Sequence, residues 1–487
     1  MRLLLACLLI IFFSQNISSQ DLLHATRGIH AGIYDEHGRR ILLRGVNYSA
    51  LEDNWQALPD APAQTEYSDK DIAMMAEHGF NCIRLTFNWS ALEPERGRYN
   101  MDYLKKIIHC IEEAAKYNIY VLVDMHQDAW GKYIATPDSL HSTHPAKGWD
   151  GAPQWATITD GRSTYTRKGR ESAPAVFRAW HHFWDDDDSL QEACINAWKV
   201  IVAATGKYSN VVGYDLLNEP NMGERTMTRE DILQGKYYNK LIKGIREAER
   251  ANSLPQHIIF FEVNVTLRGR EWPSVPYTTF RPERNIIFSP HHYFESLSND
   301  LTIKGGFHVF RLLSFFYHMD MMIGEWGYFG GAHDSSKVKR FCAQEDKYFV
   351  GSAWWQWSQA CGNPHTVGWH TDHWEAPDRC MHLVEVDRQG RFTGQINEPI
   401  MHILDRTHPL AVCGRVTKLK SNSDNGEMLL KAHTRDPGTV TLWIQGRFGK
   451  PVITGKNIDD IKIDSIPGGF KAEISVKKKY ELRVTAK

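Results

Sequence analysis

The sequence of 487 residues has almost no net charge, because 57 Lys and Arg stand against 58 Asp and Glu for a formal charge of −1. No global field recruits nucleic acid or an acidic membrane surface, so any specificity has to be local. After the N-terminus no apolar run reaches the ~20 residues that a bilayer span needs. CxxC pairs are missing, which removes the usual structural zinc site. No Gly-rich phosphate loop follows an early apolar run, and there are no repeats or low-complexity tracts.

What is present is apolar and aromatic. At 42% hydrophobic residues the chain can bury a large core, enough for more than one domain or one large barrel with an appendage. Its 16 Trp offer flat rings that suit sugar faces or apolar tails, and they fill a large core equally well. The opening "MRLLLACLLIIFFSQNISSQ" has one Arg, about ten apolar residues and then small polar ones, the pattern of a secretory signal peptide over 1–19. The mature protein is then expected to be soluble and exported, either secreted or delivered to a digestive lumen. Cys7 falls in that leader, leaving an odd number of cysteines; Cys361 and Cys380 bracket one loop and are the best disulfide pair. Sequons at Asn47, Asn88 and Asn264 follow apolar runs, so most are expected to be buried and unmodified.

Eight short apolar runs end in polar residues: "ILLRGVN" from Ile41, "CIRLTF" from Cys82, "YVLVDMHQD" from Tyr120, "VVGYDLLNEP" from Val211, "IIFFEVN" from Ile258, "IIFSPHHY" from Ile286, "MMIGEW" from Met321 and "SAWWQW" from Ser352. Runs apolar on both faces are strands covered by helices. Amphipathic segments such as "MDYLKKIIHCIEEAAKYN" lie between several of them. The expected class is α/β, a (β/α)8 barrel over 20–404, with a doubly wound open sheet as the alternative. Residues 127–188 and 358–398 are insertions rich in Trp. From 405 to 487 alternating segments separated by "SNSDNG", "RDPG" and "IPGG" predict a small antiparallel β-sandwich, with Lys477 to Lys479 as a solvated edge.

In such a barrel the chemistry sits at the carboxyl ends of the strands. The residues there are Arg84, His126, Asp128, Asn218, Glu219, His291, Tyr293, Glu325, Trp355 and Trp357. Any one alone reads as a salt-bridge partner or a satisfied polar residue. Two carboxylates across a barrel mouth suggest glycoside hydrolysis, with the gap between them deciding the stereochemistry. That chemistry calls for no metal or organic cofactor.

"NCIRLTFNW", "DLLNEP", "SPHHYF", "IGEWG" and "AWWQWS", in this order, resemble glycoside hydrolase family 5. The resemblance implies a retaining double displacement with Glu219 as acid/base and Glu325 as nucleophile. Glu219 then needs a raised pKa, and Arg84 and Tyr293 would keep Glu325 ionised. It further implies that Asn218 reads the sugar 2-hydroxyl, that His126 and Asp128 bind hydroxyls, that Trp355 floors the pocket and that His291 orients Glu219. "RGVNYSALEDNW", "DMHQDAWGKY" and "LDRTHPLAVCG" are similar to endoglycoceramidases and glycosylceramidases, which act between sugar and ceramide. The implied substrate is a glycosphingolipid, met in transient contact with a membrane or micelle, and the Trp-rich insertions become walls for its lipid chains. Bacterial endoglycoceramidases carry a Lys after the first strand, where this sequence has Glu52 and Asp53. A glucosylceramide-type β-glucosidase, a polysaccharide β-glucanase and a non-catalytic binding barrel remain as alternatives; the last conflicts with the presence of both Glu residues.

Overall fold

A computed structural model describes residues 20–134, 148–164, 170–225, 227–266, 270–271, 280, 283–329, 334–365 and 381–486. The expected leader at 1–19, and Cys380 with its proposed link to Cys361, lie outside these described residues, as do Trp369 and Trp374.

Each of the eight apolar runs forms a strand: β1 (Arg44–Tyr48), β2 (Cys82–Phe87), β3 (Tyr120–Met125), β4 (Val211–Asp215), β5 (Ile258–Phe261), β6 (Ile286–Phe288), β7 (Met322–Trp326) and β8 (Gly351–Trp354). They pair in parallel in chain order from β1 to β6, and β8 joins β7 to β1. Single bridges from Phe288 to Met321 and from His291 to Glu325 connect β6 with β7 and close the barrel. Every residue of these strands is buried, as expected for a sheet packed on both faces.

Inside the barrel the side chains form two kinds of layer. Leu122, Ile258, Phe260, Ile287 and Met322 make an apolar floor, closed from below by Leu23, Ala25 and Ile33 of the N-terminal segment. Above it the interior turns polar, toward the strand ends where barrel chemistry is placed. Outside, the helix Met101–Lys116 buries Leu104, Ile107, Ile111 and Ala114 at helical spacing against the sheet, and the Asn100 side chain caps it by accepting from Asp102 and Tyr103 N–H groups. Helices Asp69–Glu77, Leu190–Thr205 and Met227–Ala251 occupy the other windows read as amphipathic.

The C-terminal strands form one antiparallel sheet that folds over its own core. Gly469–Ala486 pairs along one edge first with Gly438–Gln445 and then with Met428–His433, while Pro451–Ile466 runs along its other edge. The long hairpin bends where Asn457 and Lys478 take φ of +56° and +55°, a bulge that lets Leu430, Leu442, Ile474 and Leu482 face one another. Lys477 to Lys479 therefore sit at a bend of a strand paired on both sides, not on the expected sheet edge. The sheet also takes in three N-terminal strands, with Val412 opposite Arg40. Buried ion pairs of Arg406 with Glu345 (2.6 Å) and Arg44 with Asp346 (2.5 Å) lie beneath the join. Asn47, Asn88 and Asn264 are all buried and hydrogen-bonded inside the protein, as the apolar runs before them implied.

Candidate active site

The polar layer is built around Arg84, which projects from β2 and has no exposed surface. Its guanidinium fork meets a ring of acceptors: Glu325 Oε1 at 2.6 Å, Asp215 Oδ2 at 2.9 Å, Glu262 Oε1 at 3.0 Å and Asp124 Oδ1 at 3.0 Å. Amide oxygens of Asn47 (3.0 Å) and Asn218 (2.9 Å) complete the set. A guanidinium presents five donors in a fixed plane, and only that geometry can serve so many oxygens at once. Asp124, Asp215 and Glu262 have oxygens close enough together to hold a cation. Arg84 is that cation. Burial pushes the Glu262 carboxyl up to about 8 and the Asp215 carboxyl up to about 6, in both cases against the pull of basic neighbours.

Above Arg84 stand the two glutamates. Glu325, on β7, is held by Arg84 and by the Tyr293 hydroxyl, which donates to Oε2 at 3.0 Å. Glu219 follows the end of β4, and its Oε1 lies 2.8 Å from His291 Nδ1. The same nitrogen is 3.4 Å from Glu325 Oε2, so His291 sits between the carboxylates, and oxygens of the two approach within 4.8 Å. Burial would lower the imidazole pKa, but Glu262, Glu325 and the bond to Glu219 outweigh it and raise His291 well above its ordinary value. Gly324 makes room for this ring, since a Cβ there would come 3.1 Å from His291 Nε2.

The sugar-facing wall comes from β3, β8 and the loops. The His126 ring stacks on Trp355 at 5.1 Å and 15°, and its Nδ1 is fixed by Asp124 Oδ2 at 2.8 Å. Asn218 spends its oxygen on Arg84 and one N–H on the Gln127 carbonyl at 3.0 Å, and its Nδ2 also lies 3.4 Å from His126 Nε2. Asp128 is buried and bound by Arg170 and by His365 Nε2 at 3.0 Å. Burial opposes its ionisation, yet Arg170 and His365 hold it below the usual carboxylate range. Trp149 then packs on both partners, with the Arg170 guanidinium 3.3 Å above its ring and the His365 ring at 4.3 Å. Glu52 is buried beside His126, its Oε1 3.9 Å from Nε2, and Asp53 pairs with Lys132.

Nine of the ten sequence-selected residues thus converge on one pocket. Trp357 does not. It has no exposure and packs edge-on against Phe80 at 6.4 Å in the layer between sheet and helices. The chain leaves regular strand geometry after Trp354, so two-residue alternation no longer places Trp355 and Trp357 on one side. The insertion tryptophans also differ from expectation. Trp130, Trp180 and Trp184 pack together in the main core. Residues that the strand-end rule passed over include Glu262, whose run "IIFFEVN" carries the same signal as the others, and Asp215, the last residue of β4. Arg170 and His365 come from loops and had no such signal.

Residues 34–361 match the family model described as Cellulase (glycosyl hydrolase family 5). An endoglycoceramidase of Cyanea nozakii is 24% identical over 433 residues, which is 80% of this chain and 77% of that one. The crystal structure of an endogalactoceramidase superposes with a TM-score of 0.85 at 30% identity, covering 96% of this chain and 100% of that chain. Endo-glycoceramidase II from Rhodococcus sp. has been solved as a ganglioside GM3 complex, with a TM-score of 0.69, 20% identity and coverage of 94% and 99% of the two chains. It has also been solved as a lactosyl-enzyme intermediate, with a TM-score of 0.68, 21% identity and coverage of 93% and 99%. With two-thirds of its length inside the matched model and this arrangement at its barrel mouth, the chain belongs to glycosyl hydrolase family 5.

Proposed function

We propose that this glycoside hydrolase is an exported, retaining endo-glycosidase that cleaves the β-glycosidic bond between oligosaccharide and ceramide in glycosphingolipids. The observation that carries the mechanism is the approach of Glu219 and Glu325 oxygens to within 4.8 Å. Retaining pairs stand about 5 to 5.5 Å apart, and inverting pairs about 6.5 to 9.5 Å apart to admit a water. The names of the relatives support the substrate class: an endoglycoceramidase, an endogalactoceramidase, and a Rhodococcus protein captured with a ganglioside and as a covalent lactosyl intermediate.

In the first step a Glu325 oxygen bonds to the anomeric carbon while the bond to the ceramide oxygen breaks, and Glu219 gives its proton to that oxygen. Glu219, now a carboxylate, takes a proton from water as the water oxygen attacks the same carbon and frees Glu325. Arg84 and Tyr293 donate hydrogen bonds to Glu325 and aim it. The amide of Asn218 reads the 2-hydroxyl, His126 and Asp128 with its bound Arg170 and His365 meet other hydroxyls, and Trp355 is the floor.

Purified protein in detergent, offered a ganglioside, glucosylceramide and a soluble β-glucan, tests the substrate. Release of an intact oligosaccharide with ceramide is expected. Glucose from glucosylceramide alone would indicate a β-glucosidase, and reducing ends from the glucan alone would end the glycosphingolipid assignment.

A further inference from the structure

Glu219 has a backbone φ of +37°, a left-handed conformation that a residue with a side chain adopts only when its surroundings impose it. Two side chains hold that segment. On one side Glu262 Oε2 accepts the Glu219 N–H at 2.8 Å. On the other Gln127 Nε2 donates to the carbonyls of Asn218 at 2.8 Å and Glu219 at 2.9 Å.

Glu262 does a second thing at the same time. Its Oε1 lies 3.1 Å from His291 Nε2, and the opposite nitrogen of that ring is 2.8 Å from Glu219 Oε1. A closed circuit results: the Glu219 backbone binds Glu262, Glu262 binds His291, and His291 binds the Glu219 side chain. Glu262 has no exposed surface, and it is anchored from behind, where its carbonyl accepts from the Tyr238 hydroxyl at 3.1 Å and from Gln234 Nε2 at 3.2 Å. A carboxyl buried this completely is costly to keep unless several donors converge on it. Here they do, from Arg84, His291 and the Glu219 amide.

We propose that Glu262 is the positioning residue of the acid/base carboxyl, holding both the strained peptide of Glu219 and the imidazole that aims its side chain. It touches no substrate and acts through Glu219. Resting on the assignment of Glu219 as acid/base, the consequence is selective: loss of Glu262 impairs proton delivery to the leaving group far more than nucleophilic attack by Glu325, which Arg84 Nη1 and Tyr293 still hold directly.

The experiment compares a ceramide glycoside, whose alkoxide leaving group needs the proton, with a dinitrophenyl glycoside of the same sugar, which departs unaided. For Glu262→Gln, kcat on the ceramide glycoside is expected to fall about 10- to 100-fold, within the range that general acid catalysis supplies, with KM changed less than about threefold. On the dinitrophenyl glycoside kcat/KM, which reports the first displacement alone and needs no proton from Glu219, should stay within about threefold of wild type. Glu262→Asp, which keeps a carboxyl and shortens the reach, should show the same split and serves if Glu262→Gln does not fold, as judged by circular dichroism and the thermal midpoint. Equal losses on both substrates in a folded variant would reduce Glu262 to a structural carboxyl and overturn the inference. Glu219→Ala is run beside them: if it shows no split, the acid/base assignment has failed and takes the inference with it.

Discussion

Arg84 donates from Nη1 to Glu325 Oε1 at 2.6 Å, the shortest of the contacts by which one buried guanidinium holds four carboxylates together. Removing one member of a buried ion network leaves charges without partners in a medium that solvates them poorly, at a cost of about 3–5 kcal/mol. Arg84→Met is therefore expected to lose about that much stability in urea unfolding, along with activity. Arg84→Lys keeps a charge but has no fork to reach all four oxygens, and should fall between the two. A Met variant as stable as wild type would contradict the role given to this network.

The two glutamates are expected to separate by leaving group. Glu325→Gln should abolish turnover of every substrate, because the covalent step has no other oxygen to use. Glu219→Ala should still turn over a dinitrophenyl glycoside, and added azide should then appear in the product as a glycosyl azide of retained configuration. A Glu325→Gln variant with wild-type kcat would end the nucleophile assignment.

Trp355 and Trp357 of "AWWQW" make opposite predictions. Trp355 stacks on His126. Its replacement by Ala should reduce kcat/KM on glycosides and leave the thermal midpoint little changed. Trp357 is sealed in the core, and its replacement by Ala should cost about 3–5 kcal/mol by opening a cavity. The milder Trp357→Phe, folded at low temperature, should bind and cleave substrate with kcat/KM near wild type. If Trp357→Phe raised KM sharply without a stability loss, Trp357 would belong to the pocket after all.

Much of this arrangement was legible in the sequence because a covered strand has to be apolar, so the polar residues that end each run are conspicuous. That logic located all eight strands and put Arg84, Asn218, Glu219, His291, Tyr293 and Glu325 on one face of the molecule. It failed where periodicity stopped, as at Trp357, and where contacts are far apart in sequence. Nothing local announces that Arg170 and His365 close on Asp128, or that Arg40 pairs across the sheet with Val412. For Trp130, Trp180 and Trp184 composition allowed a core, where they are found, and the lipid-wall role came only from the family resemblance. Glu262 bore the same strand-end signal as its neighbours. Its meaning came only from the left-handed turn of Glu219 beside it.

Stability should depend on pH in a way the buried groups dictate. Glu262, pushed up to about 8, and His291 and His126, both raised well above the ordinary imidazole value, bind protons more tightly folded than unfolded. The Glu262 contribution is lost from about pH 4.5 up to about pH 8 and the histidine contributions from about pH 6.5 upward, so stability should fall most steeply from about pH 6.5 toward pH 8. His292 and His382 are depressed to about 4 by burial and must stay neutral, so their contribution is lost below about pH 6.5. Thermal midpoints across pH 5 to 9 are expected to peak at about pH 6 to 6.5, and Glu262→Gln should flatten the alkaline side. A midpoint that climbs steadily to pH 8 would show that these groups are not protonated as described.

The most direct measurement is the configuration of the first sugar released. Proton NMR of a ceramide or aryl β-glycoside digest, recorded before mutarotation, should show the β-anomer of the freed oligosaccharide, since two inversions at one carbon through Glu325 return the original configuration. Appearance of the α-anomer first would mean a single displacement by water, and would contradict a double displacement built on Glu219 and Glu325, whose carboxyl oxygens lie within 4.8 Å of each other.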